Sequence, residues 1–261
     1  KPAFFLTGGA LGPGELCRML ADAGLGSLSV AVGENLSGPE EKITTSTAAE
    51  LAGRSFASLS VLLAEPAPRF ERRSPGLPDG MFVRGQAPMT KQEVRAAALA
   101  KLGVGPSDVL WDVGAGTGSV SVELALSAPE GQVFAVECDE DACALVRENK
   151  RKFSTWNLQL VEGKAPQALA GLPAPDAVFI GGTKGGMEDI VGQVLAKNEN
   201  ARICISAIAL ETLSAAVTAL EKHGLEADVA QIAVSRTRPA GKLHLLMANN
   251  PTFLITGERH G

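Results

Sequence analysis

The sequence predicts a Rossmann-like α/β fold: a mostly parallel sheet with an antiparallel C-terminal hairpin, preceded by a small partial α/β lobe. Three observations carry that expectation. From residue 90 to residue 222, helix-like runs alternate strictly with apolar strand-like runs. That order predicts a parallel sheet covered on both faces. A Gly-rich loop, residues 112–118, closes the first of these strands. Residues 65–80 read EPAPRFERRSPGLPDG, with four prolines between strand-like runs, which is linker chemistry. The organisation that follows is a lobe over 1–70, a linker over 71–80 and a larger domain over 81–261.

In the leading lobe, residues 4–7 are apolar and β-prone. Gly12-Pro13-Gly14 opens a helix over 15–23, which Gly24 ends. Residues 28–32 alternate as a strand, 47–51 give one or two helical turns, and 59–64 form another strand. Three or four strands in some 65 residues make a thin core. This lobe is therefore expected to be part of a domain whose upstream portion lies outside the sequence.

In the larger domain a helix spans 90–102, with Thr90 as N-cap and Glu93 three residues on, a capping box. Strand 109–113 and helix 119–126 follow, then strand 133–137 and helix 140–153. Next come strand 158–161, a short helix around 167–170, strand 177–180 and helix 187–196. Strand 202–206 and helix 210–222 complete the alternation. The end differs. Strands over 227–234 and 243–247 are joined by SRTRPAGK with no helix between them, which reads as an antiparallel hairpin.

Composition narrows the function. Hydrophobic residues are 45% and charged residues 20% of 261, and the net charge is −5. That is an ordinary globular composition. The acidic balance opposes an electrostatic nucleic-acid binder. No apolar run approaches the ~18 residues of a membrane helix. Cys17, Cys138, Cys143 and Cys204 form no C-x-x-C pair, and His223, His244 and His260 lie far from them. No metal site is expected; reduced, buried thiols in a cytoplasmic protein are. Glycine, at 29 residues, exceeds its usual ~7% and calls for Gly-rich turns.

Asp112-Val113-Gly114-Ala115-Gly116-Thr117-Gly118 sits where open α/β sheets bind ligands, at the carboxyl end of a strand. The dinucleotide fingerprint would need a third glycine at Ser119. Asp112 would repel a pyrophosphate and attract an ammonium or a sulfonium. S-adenosylmethionine carries both and is favoured. A dinucleotide, or an Asp112 that only caps the following helix, remains open. Glu137, at the end of the second strand, suits two ribose hydroxyls. Gly163 and Ala165, after the third strand, leave room for an adenine ring. The loop Phe179-Ile180-Gly181-Gly182-Thr183-Lys184-Gly185-Gly186 clears space beside a reactive methyl. It carries neither an Asn-Pro-Pro-aromatic motif nor a Pro-Cys pair, which argues for a substrate other than a nucleic-acid base.

Pro88-Met89-Thr90-Lys91, the run DVGAGTGSVSVE (112–123), FIGG (179–182) and the tail VSRTRPAGK…NPTFLITG (234–257) together resemble the decarboxylating precorrin methyltransferases of cobalamin biosynthesis. The resemblance covers residues 76–261. It implies a class I S-adenosylmethionine-dependent methyltransferase sheet, with cofactor contacts at Thr90, Gly114, Ala115, Gly116, Thr117, Gly118, Glu137 and Ala165. It also implies transfer of methyl to carbon 15 of a precorrin with loss of the ring C acetate carboxyl. Losing carbon dioxide pushes electrons into the macrocycle and makes the meso carbon nucleophilic, so no metal and no covalent nucleophile is required. Lys164 stands where an acid is usual, and Ser206-Ala207-Ile208 where Asn-Ala-Val is usual. The leading lobe, with FLTGGALGPGEL and GENLSGPEEKITTSTAAEL, resembles the trailing lobe of a tetrapyrrole methylase, the partner fused upstream in bifunctional members.

A precorrin carries many carboxylates. Arg84, Lys91, Lys184, Arg236 and Arg238 lie in loops expected to rim the cleft and are assigned as anion contacts; no general acid or base is assigned. A homo-oligomer is expected, because a partial lobe exposes apolar surface. Two other readings remain: a class I methyltransferase acting on another small molecule or on protein carboxylates, and a nucleotide-binding or oxidoreductase module.

Overall fold

The computed structural model describes residues 2–9, 11–66, 75–183 and 185–258. The chain divides into two compact units, residues 1–69 and 70–261.

The leading unit contains β1 (Ala3–Leu6), α1 (Pro13–Leu20), β2 (Ser29–Glu34), β3 (Lys42–Thr47), α2 (Ala48–Leu51) and β4 (Ser60–Ala64). Its sheet has the order β1-β4-β2-β3, with every pairing antiparallel. The alternation of side chains gives the sheet two unlike faces. The row Phe5, Leu62, Val32 and Thr44 belongs to the covered face, with Leu16, Cys17 and Leu51 packed against it. The row Leu6, Val61, Gly33 and Ile43 lies on the other face, where Leu6 is 83% and Ile43 63% exposed. Strand β3, KITTST, has no counterpart in the sequence reading. Its polar residues read as loop, although Ile and Thr are β-branched. A capping box does occur here: the Thr47 hydroxyl accepts from Glu50 N–H at 3.3 Å, and the Glu50 carboxylate from Thr47 N–H at 3.5 Å.

The main unit contains α3 (Gln92–Leu102), β5 (Val109–Val113), α4 (Ser119–Ser127), β6 (Gln132–Glu137), α5 (Glu140–Lys152), β7 (Leu158–Glu162), β8 (Ala177–Ile180), α6 (Met187–Lys197), β9 (Arg202–Ala207) and α7 (Leu210–Lys222). Four strands follow: β10 (Glu226–Ile232), β11 (Ser235–Ala240), β12 (Leu243–Ala248) and β13 (Thr252–Glu258). The seven-stranded sheet runs β10-β13-β9-β8-β5-β6-β7. Strands β5 to β9 pair in parallel, while β13 is antiparallel to both neighbours. Strand order reverses at β5, with β8 on one side and β6 on the other, so the crevice expected to take a ligand opens there.

Alternate residues of the strands feed two cores. Leu110, Val133, Ala135, Ala177, Phe179 and Cys204 join the core that includes Val94, Val120, Leu124 and Val146. Trp111, Phe134, Val136, Val178, Ile180 and Ile205 join the other, with Ile190, Val191, Ala216 and Leu220. Among the described residues no helix is long and apolar enough to cross a membrane.

Three expectations need correction. The strand over 227–234 does not pair with 243–247. Strand β10 pairs with β13, and SRTRPAGK supplies β11, which pairs with β12 in a separate two-stranded ribbon. The tail NPTFLITG, given no strand in the sequence reading, supplies β13 between β10 and β9, with Leu254, Ile255 and Thr256 buried in succession as in a strand covered on both faces. Thr90 is not the cap of α3: the helix begins at Gln92 after Lys91, with no side-chain cap. The Thr90 carbonyl instead accepts from the Arg95 guanidinium. Leu77, in the stretch read as linker, is 1% exposed and belongs to the core with Phe82.

Candidate functional site

The carboxyl ends of β5, β6, β7 and β8 are laced together by backbone hydrogen bonds. Gly114 N–H and Ala115 N–H donate to the Val136 carbonyl at 2.9 and 3.1 Å. Gly163 N–H donates to the Glu137 carbonyl at 2.8 Å, and Gly181 N–H to the Val113 carbonyl at 2.9 Å. Two glycines are required by this lacing. Gly114 has φ +75°, and a Cβ there would lie 2.1 Å from the Gly182 carbonyl oxygen. Gly116 has φ +55°, and its Cβ would lie 2.8 Å from the Pro88 carbonyl oxygen. Neither position accepts an L side chain without moving backbone. Gly118 N–H closes the turn on the Ala115 carbonyl at 2.8 Å, and α4 starts immediately after.

Asp112 follows from the alternation of β5. It shares the sheet face of Leu110, beneath α4. It is 1% exposed, and the Ser121 hydroxyl of α4 donates to its Oδ2. Its Oδ1, however, has no hydrogen-bond partner among the described residues, and neither has the buried Thr117 Oγ1. Burial pushes the Asp112 carboxyl up to about 7; hydrogen bonding from Ser121 opposes that shift, and the nearby Glu137 charge adds to it.

Glu137 is held more firmly than the sequence suggests. Its Oε2 accepts from Gly116 N–H at 2.8 Å. Its Oε1 accepts from Cys138 N–H at 2.8 Å and Asp139 N–H at 3.0 Å. The carboxylate therefore ties the Gly-rich loop to the end of β6. Oε1 is filled by its two donors, and Oε2 retains acceptor capacity for a further one. Ala165 is buried in the core beside Trp111 and Val136.

The structure brings Thr90, Asp112, residues 114–118, Glu137, Gly163 and Ala165 to one edge of the sheet or the segment against it. The assigned cations are less uniform. Arg84, Lys91 and Arg238 are exposed. Arg236 of β11 is already engaged: it donates to Glu93 at 2.7 Å and Gln92 at 3.3 Å, and Asp79 lies 3.9 Å away. Lys184 lies outside the described residues. A groove of about 840 Å³ between α6 and α7 is lined by Met187, Glu188, Asp189, Leu210 and Glu211. Its three carboxylates are the wrong charge for a polyanionic substrate. The four cysteines are unpaired thiols, with Cys138 exposed and the others buried.

Sequence reasoning missed a buried polar frame behind the site. Arg95 is 0% exposed and donates to Glu123 and Asp79 at 2.8 and 2.9 Å and to the Leu77 carbonyl at 2.6 Å. Glu123 also accepts from Gly76 N–H and Leu77 N–H at 2.6 and 3.0 Å. A signal existed: α4 reads SVSVELALS, buried along almost its whole length, and a carboxylate in such a helix requires a partner.

A family model described as precorrin methyltransferase domain matches residues 81–257. A relative from Pyrobaculum calidifontis, described as "Probable cobalt-precorrin-6B C(15)-methyltransferase (decarboxylating)", is 45% identical over 188 residues, which are 70% of this chain and 95% of that protein. A precorrin-6Y C(5,15)-methyltransferase [decarboxylating] from Sinorhizobium sp is 34% identical over 244 residues, 90% of this chain and 57% of that protein. The crystal structure of a precorrin-6Y C5,15-methyltransferase from Geobacter metallireducens GS-15 superposes with a TM-score of 0.68 at 38% identity, covering 70% of this chain and 97% of that one.

Proposed function

The chain belongs to the precorrin methyltransferase family, and from that premise we propose its reaction. It transfers the methyl group of S-adenosylmethionine to carbon 15 of a precorrin and removes the ring C acetate carboxyl as carbon dioxide. The observation that carries the reading is the coincidence of the family match, residues 81–257, with the Gly-rich edge that holds Asp112 and Glu137.

The residues present fit the cofactor. The buried Asp112 Oδ1 and Thr117 Oγ1 have no partner among the described residues, and two glycine positions allow close approach to the backbone. Bound S-adenosylmethionine supplies a methyl group already activated on a sulfonium. The Asp112 carboxylate favours the cationic amino-acid end. The open site on Glu137 Oε2 accepts from the ribose hydroxyls. Thr90, Gly114, Ala115, Gly116, Thr117 and Gly118 shape the amino-acid side, and Gly163 and Ala165 the adenine side. Arg84, Lys91, Lys184 and Arg238 take substrate carboxylates, and Arg236 does so by exchanging its Glu93 partner. The protein's contribution is positioning and exclusion of water.

Residues 1–70 form, in this reading, the trailing lobe of a tetrapyrrole methylase domain. The 244-residue match to the Sinorhizobium relative extends beyond the main unit and supports it. Self-association runs through the β11–β12 ribbon, where Leu243 and Leu246 are 67% and 72% exposed. Free thiols support a cytoplasmic location. Incubation with precorrin-6B and S-adenosylmethionine, followed by mass spectrometry, tests the reaction. A product that has gained one methyl and lost one carbon dioxide is expected. Cofactor binding without conversion would leave only the methyltransferase class.

A further inference from the structure

Asn149 is a buried polar residue that neither the family resemblance nor the cofactor assignment uses. It lies on α5 with no exposed surface. Its Oδ1 accepts from Val83 N–H at 2.8 Å. Its Nδ2 donates to the Val83 carbonyl at 3.0 Å and to the Thr117 carbonyl at 2.9 Å. Both amide protons are thereby committed, and the side chain is fixed in one orientation.

These partners belong to two separate pieces of the site. Thr117 is in the Gly-rich loop. Val83 is in the segment 76–91, a strap that crosses this end of the main unit. The strap is anchored at its start, where Gly76 and Leu77 donate to Glu123, and at its end, where Arg95 binds the Thr90 carbonyl. Between those anchors the Pro88 carbonyl rests on the loop at Gly116. Asn149 bonds strap and loop at once. The Thr117 carbonyl lies one residue before the cap of α4 at Gly118, so no intrahelical donor serves it and the Asn149 amide does.

We propose that Asn149 is a positioning residue for methyl transfer, holding the Thr117 turn and the strap in the one arrangement that receives S-adenosylmethionine. The proposal rests on the cofactor placement above. Asn149→Asp keeps the size but sets carboxylate oxygens against two carbonyl oxygens. Asn149→Ser is too short to reach both partners and disturbs packing less, which keeps the test open if the aspartate variant does not fold. Phe153→Leu, at the end of the same helix, thins the packing on Phe82 of the strap without touching any of the three Asn149 hydrogen bonds and is the control for lost packing and stability.

The test is titration calorimetry of the full chain with S-adenosylmethionine, with steady-state constants and hydrogen exchange of the strap. In the unmodified chain the cofactor binds and protects residues 83–89 from exchange. In both Asn149 variants the cofactor Kd and KM rise at least about tenfold, and strap protection is lost. The precorrin KM stays within about twofold, since only the cofactor side is disturbed. Phe153→Leu lowers the melting midpoint and leaves the cofactor Kd within about twofold. No binding by the unmodified chain would overturn the cofactor placement itself. Binding by the unmodified chain, with Kd unchanged in the Asn149 variants, would overturn this proposal alone. A Kd raised as much by Phe153→Leu would overturn it too, by showing that lost stability suffices.

Discussion

The two units of the chain solve the problem of an apolar sheet differently. In the main unit the central parallel strands are buried on both faces, so their chemistry can reach a ligand at the carboxyl edge. The Gly-rich turns and both key carboxylates gather there. In the leading unit the strands are antiparallel and one face is covered, while Phe4, Leu6 and Ile43 stand on the other, exposed face. The first arrangement concentrates polar chemistry at an edge. The second presents surface. The candidate site and the family match both fall in the main unit.

The largest expected effect comes from the buried ion pair of the main unit. Arg95→Met removes the guanidinium beside Glu123 and should cost about 3–5 kcal/mol in urea unfolding. The exposed Arg18–Glu15 pair of the leading unit is the contrast: Glu15→Gln should leave the unfolding midpoint unchanged. Equal effects would break the distinction between the two frames.

Asp112 gives the next effect, through pH. Its folded-state pKa, about 7, lies above the ordinary value of 3.8. Between those values the folded chain keeps the proton and the unfolded chain has lost it. The stability contribution is therefore full at low pH and is lost as pH rises toward about 7, by up to roughly 4 kcal/mol. Asp112→Asn should gain on the unmodified chain between about pH 4 and pH 7, with no further change above. A constant difference across that range would contradict the assignment.

Leu62→Ala should cost the leading unit about 2–4 kcal/mol and leave cofactor affinity within about twofold. A matching loss of affinity would show that the leading unit shapes the site. Asp112→Asn should weaken S-adenosylmethionine binding by about 1–3 kcal/mol in calorimetry; unchanged affinity would move the cationic end elsewhere. The smallest effect on stability belongs to the ribbon. Leu243→Lys with Leu246→Lys should reduce the oligomer seen by light scattering without shifting the melting midpoint.

The parallel strands were legible because each is a short apolar run bounded by a turn; 109–113 and 177–180 match residue for residue. The loop glycines were legible because no other residue fits φ +75° at Gly114 against a carbonyl oxygen. The C-terminal pairing was not, since β11 carries Arg, Thr and Pro and reads as a turn. The false capping box at Thr90 shows the same limit. The local pattern was present, but the buried Arg95 took the Thr90 carbonyl and α3 began later. Arg95, Glu123 and Asn149 escape a sequence reading because their side-chain and strap partners, apart from the Thr90 carbonyl, lie 16 to 66 residues away in sequence, where no local rule reaches.

The most direct measurement is carbon-13 NMR of the product formed from precorrin-6B and S-adenosylmethionine labelled in its methyl group. One labelled methyl is expected, on carbon 15, in a product that lacks the ring C acetate carboxyl. Label on carbon 5, label in a methyl ester, or no label in the macrocycle would contradict it.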